Sequence, residues 1–127
     1  MDLIGMSGED FRASCWSWRP IHALCEELNT EKSLGLDLHG WGYNDGCGLH
    51  SQTACNLLAD AIEERLNTTK LEKFYVEFAG SVCRVNEQGK FLKEGETGGM
   101  PAHCTDREHM LEFVAFLREC GGSFEIW

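Results

Sequence analysis

Hydrophobic residues recur along the chain in two periods, one helical and one alternating, and the boundaries between them outline the elements. Over residues 17–28, Trp18, Ile21, Leu24, Cys25 and Leu28 repeat at helical spacing, with Asn29 and Thr30 ending the run. Pro20 fits this helix because the first turn needs no N–H at that point. Leu34, Leu36 and Leu38 then alternate with Gly35, Asp37 and His39, which predicts a short strand. Glycines 40, 42, 46 and 48 make residues 40–48 a tight loop. Ser51 is a candidate N-cap for a second helix, whose face is Ala54, Cys55, Leu58, Ala61, Ile62, Arg65 and Leu66 and whose end is Asn67. From 69 to 79 the pattern is divided. Leu71, Phe74, Tyr75 and Phe78 suit a helix, whereas Phe74, Val76 and Phe78 suit a strand; a Thr69–Glu72 capping box tips the reading to helix. Residues 81–86 and 90–93, joined by Glu87, Gln88 and Gly89, read as a hairpin, and 94–101 as a loop. The last helix has a Thr105–Glu108 capping box, an apolar face of Met110, Phe113, Val114, Leu117 and Cys120, and Gly121 just past its end. Residues 123–127 form a terminal strand. There is no internal repeat, low-complexity tract or linker. The expected fold is a single α+β domain over residues 1–127, with three or four helices packed on a small, mainly antiparallel sheet.

Composition supports a folded chain and narrows its partners. Hydrophobic residues make up 43% of the 127, enough for a core. Acidic residues outnumber basic ones 21 to 11, a formal charge of −10, and protonating all five histidines would leave the chain negative. Such a surface repels polyphosphates and anionic membranes, so non-specific nucleic-acid binding and polybasic membrane contact are excluded. The first ten residues have neither the basic start nor the apolar stretch of a signal peptide, and no run of apolar residues is long enough to span a bilayer. With Asp at position 2 and Trp127 last, no lipidation is expected. The expected location is the cytoplasm. The seven cysteines, odd in number and widely spaced, read there as reduced thiols, three of them on apolar helix stripes.

Several constellations carry candidate chemistry. The loop 40–48 lies between a strand-like run and a helix, the order in which a helix N-terminus receives a phosphate. It lacks the Gly-Lys-Ser/Thr of a Walker loop, only approximates a dinucleotide fingerprint, and places Asp45 where it would repel an anion; a structural turn is the preferred reading. The alternating acids of a calcium loop are missing too. For zinc, the candidate ligands are Cys47, His50, His103 and Cys104, but Cys47 and His50 form only a half-motif. Cys47 near a helix N-terminus also admits a nucleophile reading, with His50 or His39 as base and Asp45 or Asp37 as orienter. The pairs Glu26–Glu27 and Glu63–Glu64 are expected on solvent faces as solvating charges. Trp16 and Trp18 are expected to anchor the first helix. Trp41 and Tyr43 sit inside the glycine loop beside Asn44, Asp45 and Asp37, where exposed rings and acids make a recognition tip; the alternative is that Trp41 folds back onto the core.

Three segments together, Phe11 to Pro20 with its Trp16-Ser17-Trp18-Arg19-Pro20 run, Asn44-Asp45-Gly46, and Phe116 to Ile126 with Cys120-Gly121-Gly122, resemble a loose family of small uncharacterised proteins found in phages and bacterial genomes. The resemblance implies a phage origin, where small acidic proteins disable host defences by binding. Many members carry Cys-x-x-Cys pairs in the middle of the chain; here Cys83 and Cys104 alone stand in that region, so zinc does not carry over. The leading expectation is a non-catalytic, cofactor-free acidic inhibitor. It would occupy a basic, nucleic-acid-binding surface on a host defence protein through Trp41, Tyr43, Asn44, Asp45 and Asp37. The alternatives are a small-molecule binder, such as a sponge for a signalling nucleotide held by the loop 40–48, and a zinc- or thiol-dependent enzyme.

Overall fold

A computed structural model describes residues 1–68, 84–85, 100–101, 105 and 107–127. Their elements are β1 (Asp2–Gly5), β2 (Asp10–Arg12), α1 (Cys15–Glu31), α2 (Gln52–Thr68), β3 (Arg84–Val85), β4 (Met100–Pro101), α3 (Arg107–Glu119) and β5 (Phe124–Ile126). The result is α+β: three helices among the described residues, with a three-stranded antiparallel sheet of order β2-β1-β5. Leu3 lies opposite Phe11 on one side and Ile126 on the other, so the two ends of the chain meet in one sheet. Leu3, Phe11, Phe124 and Ile126 face the core, and Ile4, Asp10, Arg12 and Glu125 face out. Neither β1 nor β2 was predicted, since strands of four and three residues are too short to show a period.

The helices close over this sheet with the faces the pattern gives them. On α2, Cys55, Leu58, Ala61, Ile62 and Leu66 are buried, and the Ser51 hydroxyl accepts the Ala54 N–H at 3.1 Å, as an N-cap should. On α3, Met110, Phe113, Val114 and Leu117 are buried, with Cys120 after them, and Gly121 at φ +82° turns the chain into β5. The Thr105 hydroxyl lies 3.3 Å from His109 Nδ1, and the His109 ring stacks on Phe11 at 4.9 Å, joining α3 to β2. Helix α1 is longer than predicted at both ends: Ser14 caps it by accepting the Ser17 N–H at 3.3 Å, and at the other end the Lys32 N–H closes the last turn on the Leu28 carbonyl at 2.9 Å. Pro20 is therefore not in the first turn but one turn further in, where the helix forgoes a hydrogen bond to the carbonyl of residue 16. The acidic pairs are largely exposed, and most of them tie helices together. Arg65 on α2 meets Glu31 at 2.7 Å and Glu27 at 3.5 Å on α1, and Lys32 meets Glu64 at 2.9 Å. Arg118 on α3 meets Asp60 at 2.8 Å and Glu63 at 2.9 Å on α2.

Two predicted elements differ. Residues 34–38 do not form a strand. The side-chain amide of Asn29 serves Leu36 on both sides instead, donating to its carbonyl at 2.8 Å and accepting its N–H at 2.9 Å. The leucine alternation does reflect inward and outward positions: Leu38 is buried, and Leu34 and Leu36 pack against the core. Arg84–Val85 is a strand, but it pairs with Met100–Pro101, from the segment read as loop. Residues 90–93, the other half of the predicted hairpin, lie outside the described residues, as do the 69–79 helix, His103 and Cys104. No helix among the described residues is long and apolar enough to cross a membrane.

Candidate interaction site

The loop 40–48 is built by two consecutive turns, in which the Trp41 N–H reaches the Leu38 carbonyl at 3.3 Å and the Tyr43 N–H reaches Gly40 at 2.9 Å. These turns send the two rings in opposite directions. Trp41 is fully buried, so its expected role in a recognition tip is corrected. It stacks on Trp18 at 5.9 Å, meets the edge of Phe124 at 5.8 Å, and accepts the Trp18 indole N–H on its carbonyl at 2.7 Å. Burying two indoles against each other is a large apolar gain that outweighs the cost of bending a glycine-rich loop inward. The Trp41 Nε1 itself has no hydrogen-bond partner among the described residues.

Tyr43 points the other way and is 71% exposed, with Asn44 and Asp45 exposed beside it. Asp45 accepts the Cys47 N–H at 3.4 Å, and Asp37 accepts the His39 N–H at 3.0 Å, so each carboxylate braces its own turn. The Cys47 thiol is pushed above its ordinary range, chiefly by its hydrogen bond to Asp45, then by burial and by the charges of Asp45 and Asp37. Such a setting disfavours the thiolate that the nucleophile reading of Cys47 calls for. Cys47 and His50 do line one shallow hollow with Asp37 and His39, yet no group of three or more His, Cys, Asp or Glu among the described residues converges as a metal site. The α2 N-terminus that follows the loop is capped by Ser51.

Past Cys47 the loop runs beside β5: Ile126 N–H donates to the Cys47 carbonyl at 2.7 Å, and Gly46 N–H to the Ile126 carbonyl at 2.8 Å. This places the half-exposed Trp127 over Gly46, where a Cβ would lie 3.0 Å from the indole. Its Nε1 donates to Glu125 at 3.0 Å. Sequence reasoning missed Trp127 as a surface ring, although the burial of Phe124 and Ile126 implies that Glu125 and Trp127 face out.

On its other side the loop walls a cleft of about 550 Å³ against α1, lined by Trp18, Arg19, His22, Glu26, His39 and Tyr43 among others. The His22 imidazole stacks near Trp18 at 6.4 Å, and burial lowers its pKa against the opposing pull of Glu26 and of the Leu38 carbonyl. Its Nε2 lies 3.1 Å from Glu26 Oε1 without an aligned hydrogen bond. These residues were missed because each reads as ordinary helix surface; the available signal is that 19, 22 and 26 share one face of α1 beside Trp18. No protein-family model, curated protein or solved structure matches the chain.

Proposed function

We propose that this is a non-catalytic acidic binding protein that occupies the basic, nucleic-acid-binding surface of a partner, in the manner of a phage or mobile-element inhibitor of a host defence protein. The observation that carries the reading is the tip itself: Tyr43, Asn44, Asp45 and Asp37 are all exposed. An exposed ring flanked by acids suits a cationic groove, with the ring as anchor and the acids facing lysine or arginine. The formal charge of −10 adds long-range attraction to such a groove. Trp127 extends the same surface. The sequence resemblance to small phage proteins supplies the biological setting of the proposal, and a cytoplasmic location follows from it.

The test is affinity capture from host lysate on the immobilised protein, eluted in salt steps from about 0.05 to 1 M, a range over which exposed charges go from attracting to screened. The expected result is a set of basic, nucleic-acid-binding proteins that elute as salt rises and that are lost with Tyr43→Ala and with Asp45→Asn. Recovery of no basic protein at any salt refutes the reading, as does retention that both substitutions leave intact.

A further inference from the structure

We infer that the outer face of the β2-β1-β5 sheet is a docking surface for a basic segment of a partner protein that carries one aliphatic side chain. The inference rests on the reading of this chain as an acidic binder and adds to it the apolar part of the contact. The sheet is covered on one side only. Leu3, Phe11, Phe124 and Ile126 are buried, while the register sets Asp2, Ile4, Asp10, Arg12 and Glu125 on the opposite side. A one-sided antiparallel sheet ordinarily keeps its solvent face polar. Here Ile4 and Trp127 are half-exposed and Met6 is 77% exposed. They line a single hollow of about 290 Å³ with Ser123 and Glu125, so the three apolar side chains border one concave spot and are not scattered.

Charge says what covers it. Asp2, Asp10 and Glu125 stand on that face against Arg12 alone, and Arg12 is already held between Asp10 at 3.4 Å and Asp2 at 3.9 Å. The Glu125 carboxylate accepts the Trp127 indole N–H at 3.0 Å and meets no cation among the described residues. A lysine or arginine that approaches Glu125 also reaches the exposed Trp127 ring, a second attraction for the same cation. An aliphatic side chain beside that cation enters the hollow against Ile4 and Met6, and the flexible Met6 thioether adapts to its shape. A second copy of the chain is the poorer occupant. A twofold contact sets the same patch against itself and brings two sets of three carboxylates together. Strand addition at β5 is blocked, because residues 46–49 already hydrogen-bond to its outer edge, so the contact there is with the face of the sheet. Through Trp127 this face is continuous with the acidic tip.

The experiment is an NMR titration of the full ¹⁵N-labelled chain with a nine-residue peptide of alternating lysine and threonine whose central lysine is replaced by leucine. In an extended form its leucine and lysines share one face. Two control peptides carry alanine for the leucine, or glutamate for every lysine. Saturable shifts are expected at the Ile4, Met6 and Glu125 amides and at the Trp127 indole N–H, weakening as salt rises from about 0.05 to 0.5 M. The alanine peptide should bind about tenfold more weakly, and the glutamate peptide not at all. Ile4→Thr combined with Met6→Gln should weaken the leucine peptide to the level of the alanine peptide and leave the alanine peptide within about twofold, a pattern that a damaged fold would not give. Threonine keeps the strand preference of position 4, and Met6 is exposed, so the double variant retains the sheet. The proposal is overturned if no peptide shifts these resonances at about 1 mM, or if the leucine and alanine peptides bind alike. It is overturned too if the resonances move with protein concentration alone, which makes a second copy the occupant. Shifts confined to Tyr43, Asn44 and Asp45 would also overturn it and leave the tip standing. Sheet shifts in a chain that captures no basic protein from lysate would refute the inhibitor reading alone.

Discussion

A Cβ on Gly48 would overlap the backbone carbonyl of Phe124, and the clash is between main chains, so no side-chain rotation relieves it. The close approach exists because the loop end and β5 share hydrogen bonds on either side of it, Ile126 N–H to Cys47 at 2.7 Å and Phe124 N–H to Leu49 at 3.1 Å. Inserting a methyl group must push the loop off the strand, stretching both bonds and loosening Trp41 from Phe124. Gly48→Ala is therefore expected to lower stability by about 3 kcal/mol, read as a drop in the urea midpoint with little change in slope. A wild-type midpoint would show that β5 does not hold the loop. The same residue-scale logic separates Trp41 from Tyr43. Two positions apart in a glycine-rich stretch, they differ because Trp41 meets Trp18 and Phe124, while no ring among the described residues packs on Tyr43.

Between elements, the charged seam of α2 shows how little an exposed ion pair must hold. Arg118 reaches Asp60 and Glu63 from α3, and these carboxylates reinforce its charge, but its side chain keeps 35% of its surface in water. The same two helices already share the buried Leu58, Ile62, Phe113 and Leu117. Arg118→Gln is expected to cost less than about 1 kcal/mol at low salt, shrinking further by about 0.5 M salt. A loss of several kcal/mol, independent of salt, would mean that the seam and not the core holds α3. Such stripes also explain which elements were legible in the sequence. α2 and α3 carry apolar faces of several turns with caps or a terminal glycine, and β5 follows directly from the Gly121 turn. The run 34–38 has the alternation of a strand, but alternation reports inward and outward positions and not a hydrogen-bonded neighbour, and Asn29 had already supplied one. The exposure of Tyr43, Asn44 and Asp45 was legible because polar residues in a glycine-rich turn stay in solvent. The cleft was not, because its lining comes from α1 and the loop and no single segment shows it.

At the scale of the molecule, buried titratable groups set a pH range for stability, and the sign is opposite at its two ends. On the acid side stands His22, packed beside Trp18 and Trp41 and facing Glu26, with its pKa lowered from 6.5 chiefly by burial. Between that lowered value and 6.5 the unfolded chain binds the proton more readily than the folded one, so stability is complete above 6.5 and is lost as pH falls through the folded pKa. On the alkaline side stand Cys25, raised by full burial, and Cys55, pushed up from 9.0 to about 12 by burial and by the Cys120 thiol 3.7 Å away. Here the folded chain keeps a proton that the unfolded chain has lost, so stability is present below 9.0 and declines as pH rises towards about 12. One group contributes at most about 1.4 kcal/mol per pH unit, which urea midpoints resolve easily. Stability is therefore expected to be flat from about pH 7 to 8.5 and to fall on both sides. His22→Gln should flatten the limb below pH 6.5 without changing the alkaline one, and Cys55→Ala should reduce the slope above pH 9.0, where Cys25 still acts, without changing the acid one. If His22→Gln keeps the wild-type slope on the acid side, the imidazole is not what binds the proton there, and the carboxylates that make up the −10 charge must be responsible instead. That outcome would shift the decline to lower pH, where carboxylates titrate, and the pH at which the midpoint begins to fall distinguishes the two.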